Sequence, residues 1–372
     1  MMKAYTEADF DRNPLMFYYE VTRACDLVCR HCRASAQSCA LPDELSSAES
    51  RELMRQIASF DRKPVVVMTG GDPLKRSDIF DLISYARSLD LEVALTPSAT
   101  PLATREALQR AKDAGVRRLG ISLDGPDAQT HDSFRGWSGS FDRTLEMLVD
   151  AEDIGLPVQI NTSLTKRNFH QIDEMAELLG ATDVSMWSVF FLVPVGRGID
   201  EERITPEQYE EAFERLWNQS QRQPYAVKTT EAHHYRRWIL QHLKDHRPVN
   251  GSAGPGPNGK PTRDVGHRAP LGVRDGNGIM FVGYNGEIYP AGFLPVQCGK
   301  FPVDSVVETY RSHPDFVSLR DPDGFEGKCG VCEFRKICGG SRSRAFGVTG
   351  NMLASEPDCV YQPEGFATTP SV

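Results

Sequence analysis

The chain has 372 residues, 40% apolar and 25% charged, the composition of a folded protein of two or three domains rather than a disordered one. Its 42 Lys and Arg against 51 Asp and Glu leave a net charge of −9, the wrong sign for a general nucleic-acid or anionic-membrane surface. The N-terminus is polar, and no apolar run reaches the roughly 18 residues a membrane span needs. A cytoplasmic location is therefore expected, where clustered cysteines are metal ligands or catalytic thiols rather than disulfides.

From residue 14 to about 200, strand and helix patterns alternate. Strands are predicted over 15–21, 65–69, 92–96, 117–123, 158–162 and 184–192, each short and rich in β-branched or aromatic residues. Between them, Ser46 with Glu49 reads as a capping box, and Ser77 precedes an apolar-periodic run. Gly115, Gly155 and Gly180 end the next three helical patterns. Six strand–helix units imply a parallel sheet with helices outside; periodicity alone leaves open a partial barrel or a doubly wound sheet. A helix follows over 206–222, with Thr205 as cap, Pro206 first and Gln208 completing a capping box. A short strand and helix come next, then a Gly- and Pro-rich stretch over 247–270 that reads as a linker or active-site loop. A hairpin is predicted from 279–282 and 287–289, turning through Tyr284, Asn285 and Gly286.

The nine cysteines fall into two groups with none between Cys39 and Cys298. Cys25, Cys29 and Cys32 form C-x3-C-x2-C directly after the first strand. Three thiolates on one loop can hold three irons of a cube and leave the fourth open. Zinc is the alternative, but it needs a fourth ligand from His31 or Cys39. The position favours chemistry, since parallel sheets bind ligands at their carboxyl ends. At the tail, Cys329, Cys332, Cys338 and Cys359 suit either a closed [4Fe–4S] cube or zinc.

Further motifs end further strands. Thr69-Gly70-Gly71-Asp72-Pro73 offers close backbone approach and a carboxylate that can accept an ammonium. Ile121-Ser122-Leu123-Asp124-Gly125, followed by His131-Asp132-Ser133-Phe134-Arg135-Gly136, offers short polar groups and a cation. Asn161 ends the fifth strand, and Arg197 lies just past the sixth. Read singly, each is ordinary strand-end or turn chemistry.

Taken in order, the cysteine loop and these motifs resemble the radical S-adenosylmethionine (SAM) superfamily over residues 14 to 200. The resemblance implies a partial (β/α)6 TIM-like barrel of the α/β class. It implies a [4Fe–4S] cluster on Cys25, Cys29 and Cys32 whose open iron binds SAM. Reductive cleavage of SAM then yields a 5′-deoxyadenosyl radical that abstracts a substrate hydrogen, with flavodoxin or ferredoxin as reductant. Gly70, Gly71 and Asp72 would hold the SAM amino group; Ser122, Asp124, Arg135 and Asn161 would contact its carboxylate and ribose. Two departures are His31, where an aromatic residue is commoner, and Asp26, where Asn is commoner.

The hairpin with C-x2-C-x5-C-G-G and a late Cys resembles the SPASM or shortened twitch extension of such enzymes. Ala291 and Arg342 stand where that pattern has further cysteines, and none lies near Val273. One auxiliary [4Fe–4S] cluster is therefore expected, on Cys329, Cys332, Cys338 and Cys359, with Cys39 and Cys298 spare. The expected organisation is an N-terminal extension (1–13), the barrel (14–222), a bridging segment (223–270) and the extension (271–372).

Substrate contacts are expected from Arg197 and from the polar run KTTEAHHYRR, in which Lys228, Thr230, Glu231, His233, His234, Tyr235, Arg236 and Arg237 stand. Arginines suit a carboxylate, and Tyr235 or His234 a proton transfer. With only 13 residues before the first strand, a leader-peptide-binding domain is not expected within this chain. The favoured substrate is thus a carboxylate-bearing small molecule, a tetrapyrrole side chain or sugar acid, with radical decarboxylation among the outcomes. Peptide modification is the second reading, and a non-catalytic iron–sulfur or zinc protein the third.

Overall fold

A computed structural model describes residues 5–242, 272–364 and 366; the 247–270 stretch lies outside them. Seven strands run parallel and pair in chain order: β1 (Met16–Glu20), β2 (Val65–Thr69), β3 (Glu92–Leu95), β4 (Val116–Ser122), β5 (Val158–Leu164), β6 (Met186–Phe191) and β7 (Ala226–Thr230). Six answer to the predicted strands. The seventh, expected as part of a bridging segment, completes the parallel run beside β6.

The helices are α1 (Glu7–Phe10), α2 (Ser47–Ala58), α3 (Ile79–Ser88), α4 (Arg105–Ala114), α5 (Ala128–Arg135), α6 (Ser140–Asp153), α7 (Ile172–Gly180), α8 (Pro206–Arg222) and α9 (His234–His242). Both predicted capping boxes form, Ser46 with Glu49 on α2 and Thr205 with Gln208 on α8. Gly115 ends α4 at φ 111°, a conformation open to glycine. Two boundaries differ from expectation. α3 begins after Asp78 rather than Ser77, and the Asp78 carboxylate is drawn to Arg76 (2.7 Å) instead of capping. α7 runs through Gly180 to Ala181. A Cβ at Gly180 would press on the Gln223 side chain, so that glycine serves close packing, not a turn.

Burial separates the two sheet faces. Along β5, Val158, Ile160, Thr162 and Leu164 are buried while Gln159, Asn161 and Ser163 are half-open. The buried set joins Phe17, Tyr19, Met68, Leu119 and Val189 in one apolar core under the helices, as period-2 alternation dictates. The opposite face carries Gln159, Asn161 and Ser163 on β5, with polar and apolar residues mixed on the other strands.

The predicted hairpin forms as β8 (Ile279–Val282) and β9 (Glu287–Tyr289), followed by β10 (Gly299–Lys300). It does not stand apart. β8 lies parallel to β1, with Phe281 opposite Tyr18, so one ten-stranded sheet runs β10-β9-β8-β1-β2-β3-β4-β5-β6-β7. The sheet curls so that the segment after β7 meets the segment before β8. Glu231, the residue after β7, hydrogen-bonds Asp275, just before β8, and Arg236 donates to the Val273 carbonyl (2.9 Å). That second face is thereby enclosed and the helices stay outside. Helices α10 (Val306–Ser312), α11 (Pro314–Arg320), α12 (Gly327–Val331) and α13 (Arg342–Thr349) complete the C-terminal part. Among the described residues, no helix is long and apolar enough to cross a membrane.

Candidate active site

The loop after β1 carries Cys25 and Cys29, both buried, and Cys32, half-buried, packed with Leu27, Ala36 and Trp137. Backbone N–H groups of Leu27 and Ala36 point at the Cys25 and Cys32 sulfurs (3.4 and 3.5 Å). At Cys25 burial raises the thiol pKa, and the Leu27 donor opposes that rise.

Two neighbouring segments hold this loop. From the end of β2, the Gly71 and Asp72 N–H groups donate to the Thr22 and Ala24 carbonyls (2.8 and 2.7 Å). A Cβ on Gly70 or Gly71 would overlap those same carbonyl oxygens, so only glycine lets the two loops approach so closely. From the segment after β6, Arg197 donates its N–H to Cys32 O (3.0 Å), Nε to Cys29 O (2.9 Å) and Nη1 to Ala36 O (3.3 Å). Asp26, the unusual residue beside Cys25, pairs with Lys75.

The Asp72 carboxylate accepts from the Thr100 hydroxyl (2.8 Å) and the Leu74 and Ser98 N–H groups (3.2 and 3.3 Å). It ties the ends of β2 and β3 together. The carboxylate expected to accept an ammonium is thus already held by three donors of the chain itself.

At the end of β4, Asp124 is buried. One carboxylate oxygen accepts from the Ser163 N–H (2.7 Å) and the other lies 2.6 Å from Arg135 Nη2. The Asp124 N–H donates to His131 Nδ1 (3.0 Å), which places the imidazole proton on Nε2, facing Ser140 Oγ (3.2 Å). Burial, reinforced by the Arg135 charge, pushes the His131 pKa down to about 4. Arg135 reaches on to Cys29 Sγ (3.8 Å). The next residue back, Phe134, stacks on His31 at 4.2 Å between ring centroids. His31 thus presents a flat ring where an aromatic residue was expected, with its Nδ1 unpartnered among the described residues. Ser122 and Asn161 are register partners on the enclosed face. Thr100, which holds the Asp72 carboxylate, is marked by no local pattern in the sequence, and the motif containing His131 does not show that its imidazole accepts from the Asp124 N–H.

Residues 19–179 match the family model described as Radical SAM superfamily. The AdoMet-dependent heme synthase of Methanosarcina barkeri is 35% identical over 351 residues, covering 94% of this chain and 97% of its own. The chain belongs to the radical SAM superfamily. A second relative, the AdoMet-dependent heme synthase of Nitratidesulfovibrio vulgaris, is 36% identical over 347 residues, covering 93% and 92%. The fold matches the crystal structure of Streptococcus suis SuiB bound to S-adenosylmethionine, with a TM-score of 0.68 at 16% identity over 94% of this chain and 78% of that one. As a radical SAM enzyme the protein uses SAM and a [4Fe–4S] cluster, and a parallel sheet with a C-terminal extension carries them.

In this radical SAM chain the four C-terminal thiols line one cavity, together with His234. Each thiol has a backbone donor: Glu356 to Cys329 (3.2 Å), Gly340 to Cys338 (3.4 Å), Phe334 to Cys332 and Tyr361 to Cys359. Arg342, standing where another cysteine was expected, points Nη2 at Cys329 Sγ (3.7 Å) and is buried. Among the described residues, one set of three ligand atoms lies within 4.8 Å of one another, on Cys298, His313 and Asp315; neither cysteine group forms such a set. Tetrahedral zinc, with Zn–S near 2.3 Å, draws its sulfurs to about 3.8 Å apart.

The expected substrate residues are dispersed. Arg197 braces the cysteine loop through its backbone N–H, Nε and Nη1, and its buried Nη2 has no partner among the described residues. Tyr235 is buried in the apolar core against Phe213 and Trp238, because the helical turn of α9 points it there. His234 sits against Tyr209 and Phe213 and lines the C-terminal thiol cavity. Arg236 donates to the Ile337 and Val273 carbonyls, fastening the extension to the barrel. Glu231 adopts φ 57°, accepts from Ser341 and shares a hydrogen bond with Asp275; burial and that neighbouring carboxyl raise its pKa. Cys39 is exposed. Cys298 is buried beside Val296 and Asp315, and its pKa is pushed up to about 12.

Proposed function

We propose that this radical SAM enzyme acts in haem biosynthesis, on a tetrapyrrole bearing carboxylate side chains, and that it removes a propionate carboxyl group. The observation that carries the reading is the end-to-end similarity to proteins named AdoMet-dependent heme synthase, at 35% and 36% identity over more than nine-tenths of the chain. Cys25, Cys29 and Cys32 would hold the SAM cluster, since their loop is pinned by Gly70, Gly71 and Arg197 and supplied with N–H donors. When bound there, the cluster supplies the electron that cleaves SAM to methionine and a 5′-deoxyadenosyl radical.

Around that site the chain positions rather than reacts. The Gly70–Asp72 backbone, Ser122 and Asn161 face the ligand side of the sheet. Asp124 and Arg135 lock the β4 end to the cysteine loop. Hydrogen abstraction from a propionate, loss of CO2 and formation of a vinyl group release one electron. Cys329, Cys332, Cys338 and Cys359, with their four N–H donors, would hold an auxiliary cluster, and such a cluster would supply an acceptor for that electron.

Anaerobic reconstitution followed by dithionite, SAM and an iron porphyrin with four propionates tests this. The expected result is 5′-deoxyadenosine formed together with a porphyrin lacking one or more carboxyl groups. SAM cleavage with an unchanged porphyrin would overturn the substrate reading and turn attention to peptides. Zinc binding without SAM cleavage would overturn the cluster assignments.

A further inference from the structure

The enclosed face of the sheet carries two cations that no fold contact uses. Arg118 lies two residues before Gly120 on β4, on the face opposite the buried Leu119. Lys228 lies on β7 in the register line Ser122, Asn161, Ser188, Lys228. Side chains of parallel register partners share a face, so both cations project into the enclosed side of the curl. Both are exposed to water. Among the described residues neither has a hydrogen-bond or ion-pair partner.

Their surroundings do not neutralise them. Glu20, at the end of β1, is held by Arg33 (3.1 Å) and Arg23 (3.5 Å). Glu231 is committed to Ser341 and Asp275. Arg236 adds a third positive charge and is itself fixed by two carbonyls. Lys228 is closely surrounded though open to water, as the wall of a hollow is. Desolvation first, then the charges of Arg236 and Arg118, pull its pKa down to about 8. Arg118 is thus close enough for its charge to act on Lys228, although three strand spacings separate β4 from β7. Like charges brought together in a hollow repel, and folding gains nothing from them.

We propose that Arg118 and Lys228 form a carboxylate subsite of the substrate chamber, which clamps one carboxylate of the substrate between guanidinium and ammonium. This rests on the reading that the chamber takes a carboxylate-bearing substrate. An Arg fork and a Lys point charge suit a carboxylate through charge-assisted hydrogen bonds. The clamp would orient one side chain of a polycarboxylate so that another meets the radical.

The test is protection of Lys228 from acylation in the reconstituted full-length enzyme. A water-soluble amine-reactive ester labels it, and peptide mass spectrometry reads the rate. The competitors are succinate, a four-propionate porphyrin and that porphyrin's tetramethyl ester. Both free acids should slow labelling of Lys228 roughly tenfold and the ester should not. Arg118→Gln should abolish the protection and Arg118→Lys restore part of it. Equal labelling with and without the acids, or full protection in Arg118→Gln, would overturn the subsite. Succinate protection without porphyrin protection would leave the subsite standing and sink the tetrapyrrole reading. Porphyrin turnover with unchanged KM in Arg118→Gln would keep that reading and sink the subsite.

Discussion

Arg197 Nε donates to the carbonyl oxygen of Cys29 at 2.9 Å. A residue six positions beyond β6 thereby fixes the backbone of the middle cysteine of a loop that follows β1. Hydrogen bonds from a charged donor contribute about 1.5–3 kcal/mol each. Arg197→Ala should keep the fold, by circular dichroism, but lose most of the iron and sulfide bound at this loop and at least about tenfold of SAM cleavage. Arg197→Lys should fall between. Full iron content with only a raised substrate KM would show instead that Arg197 meets the substrate.

Gly71 predicts a second effect. A Cβ there overlaps the Ala24 carbonyl, and overpacking of this kind costs about 1–3 kcal/mol. Gly71→Ala should weaken SAM binding by roughly tenfold or more in calorimetry. Thr100→Val, which removes a donor to Asp72 without adding bulk at the cysteine loop, should weaken it less.

The third prediction concerns pH. His131 is kept neutral in the folded protein, with a pKa of about 4 against 6.5 for the free imidazole. The unfolded chain therefore binds a proton below 6.5 that the folded chain refuses until about 4. Its contribution to stability is lost as pH falls through that window, by about 2 kcal/mol between pH 7 and pH 5. Arg135, Asp124 and His31 all face His131 and set this shift. Urea denaturation of His131→Gln should show a shallower loss of stability over this range than the native sequence. Parallel curves would refute the assignment.

The fourth concerns the C-terminal thiols. Cys332→Ser should remove about four irons per chain, the content of one cube. SAM cleavage should continue while product formation stops. Retention of all iron, or loss of zinc in its place, would contradict an auxiliary cluster on these four residues.

Much of this was legible before folding. The strand ends carrying Gly70, Gly71, Ser122, Asp124 and Asn161 were readable because apolar periodicity and a short motif coincide there. The roles of Asp72, Arg197, Tyr235 and Arg236 were not. Each depends on a partner far along the chain: Thr100 for Asp72, Cys29 for Arg197, Phe213 for Tyr235 and Ile337 for Arg236. Sequence spacing shows that such a side chain is polar or aromatic, but not which of several surfaces it will meet.

The sequence by itself determined the repeating strand–helix order, the capping boxes at Ser46 and Thr205, and the two cysteine spacings, because backbone propensity, capping and loop ligation act over a few residues. Only the tertiary structure decided that the C-terminal hairpin joins β1, that Glu231 meets Asp275 to close the curl, and that Arg118 and Lys228 look into one hollow. Those outcomes depend on strand order and on how far the sheet twists. Both are settled by burying the shared outer face against the helices, and no local stretch of sequence encodes them.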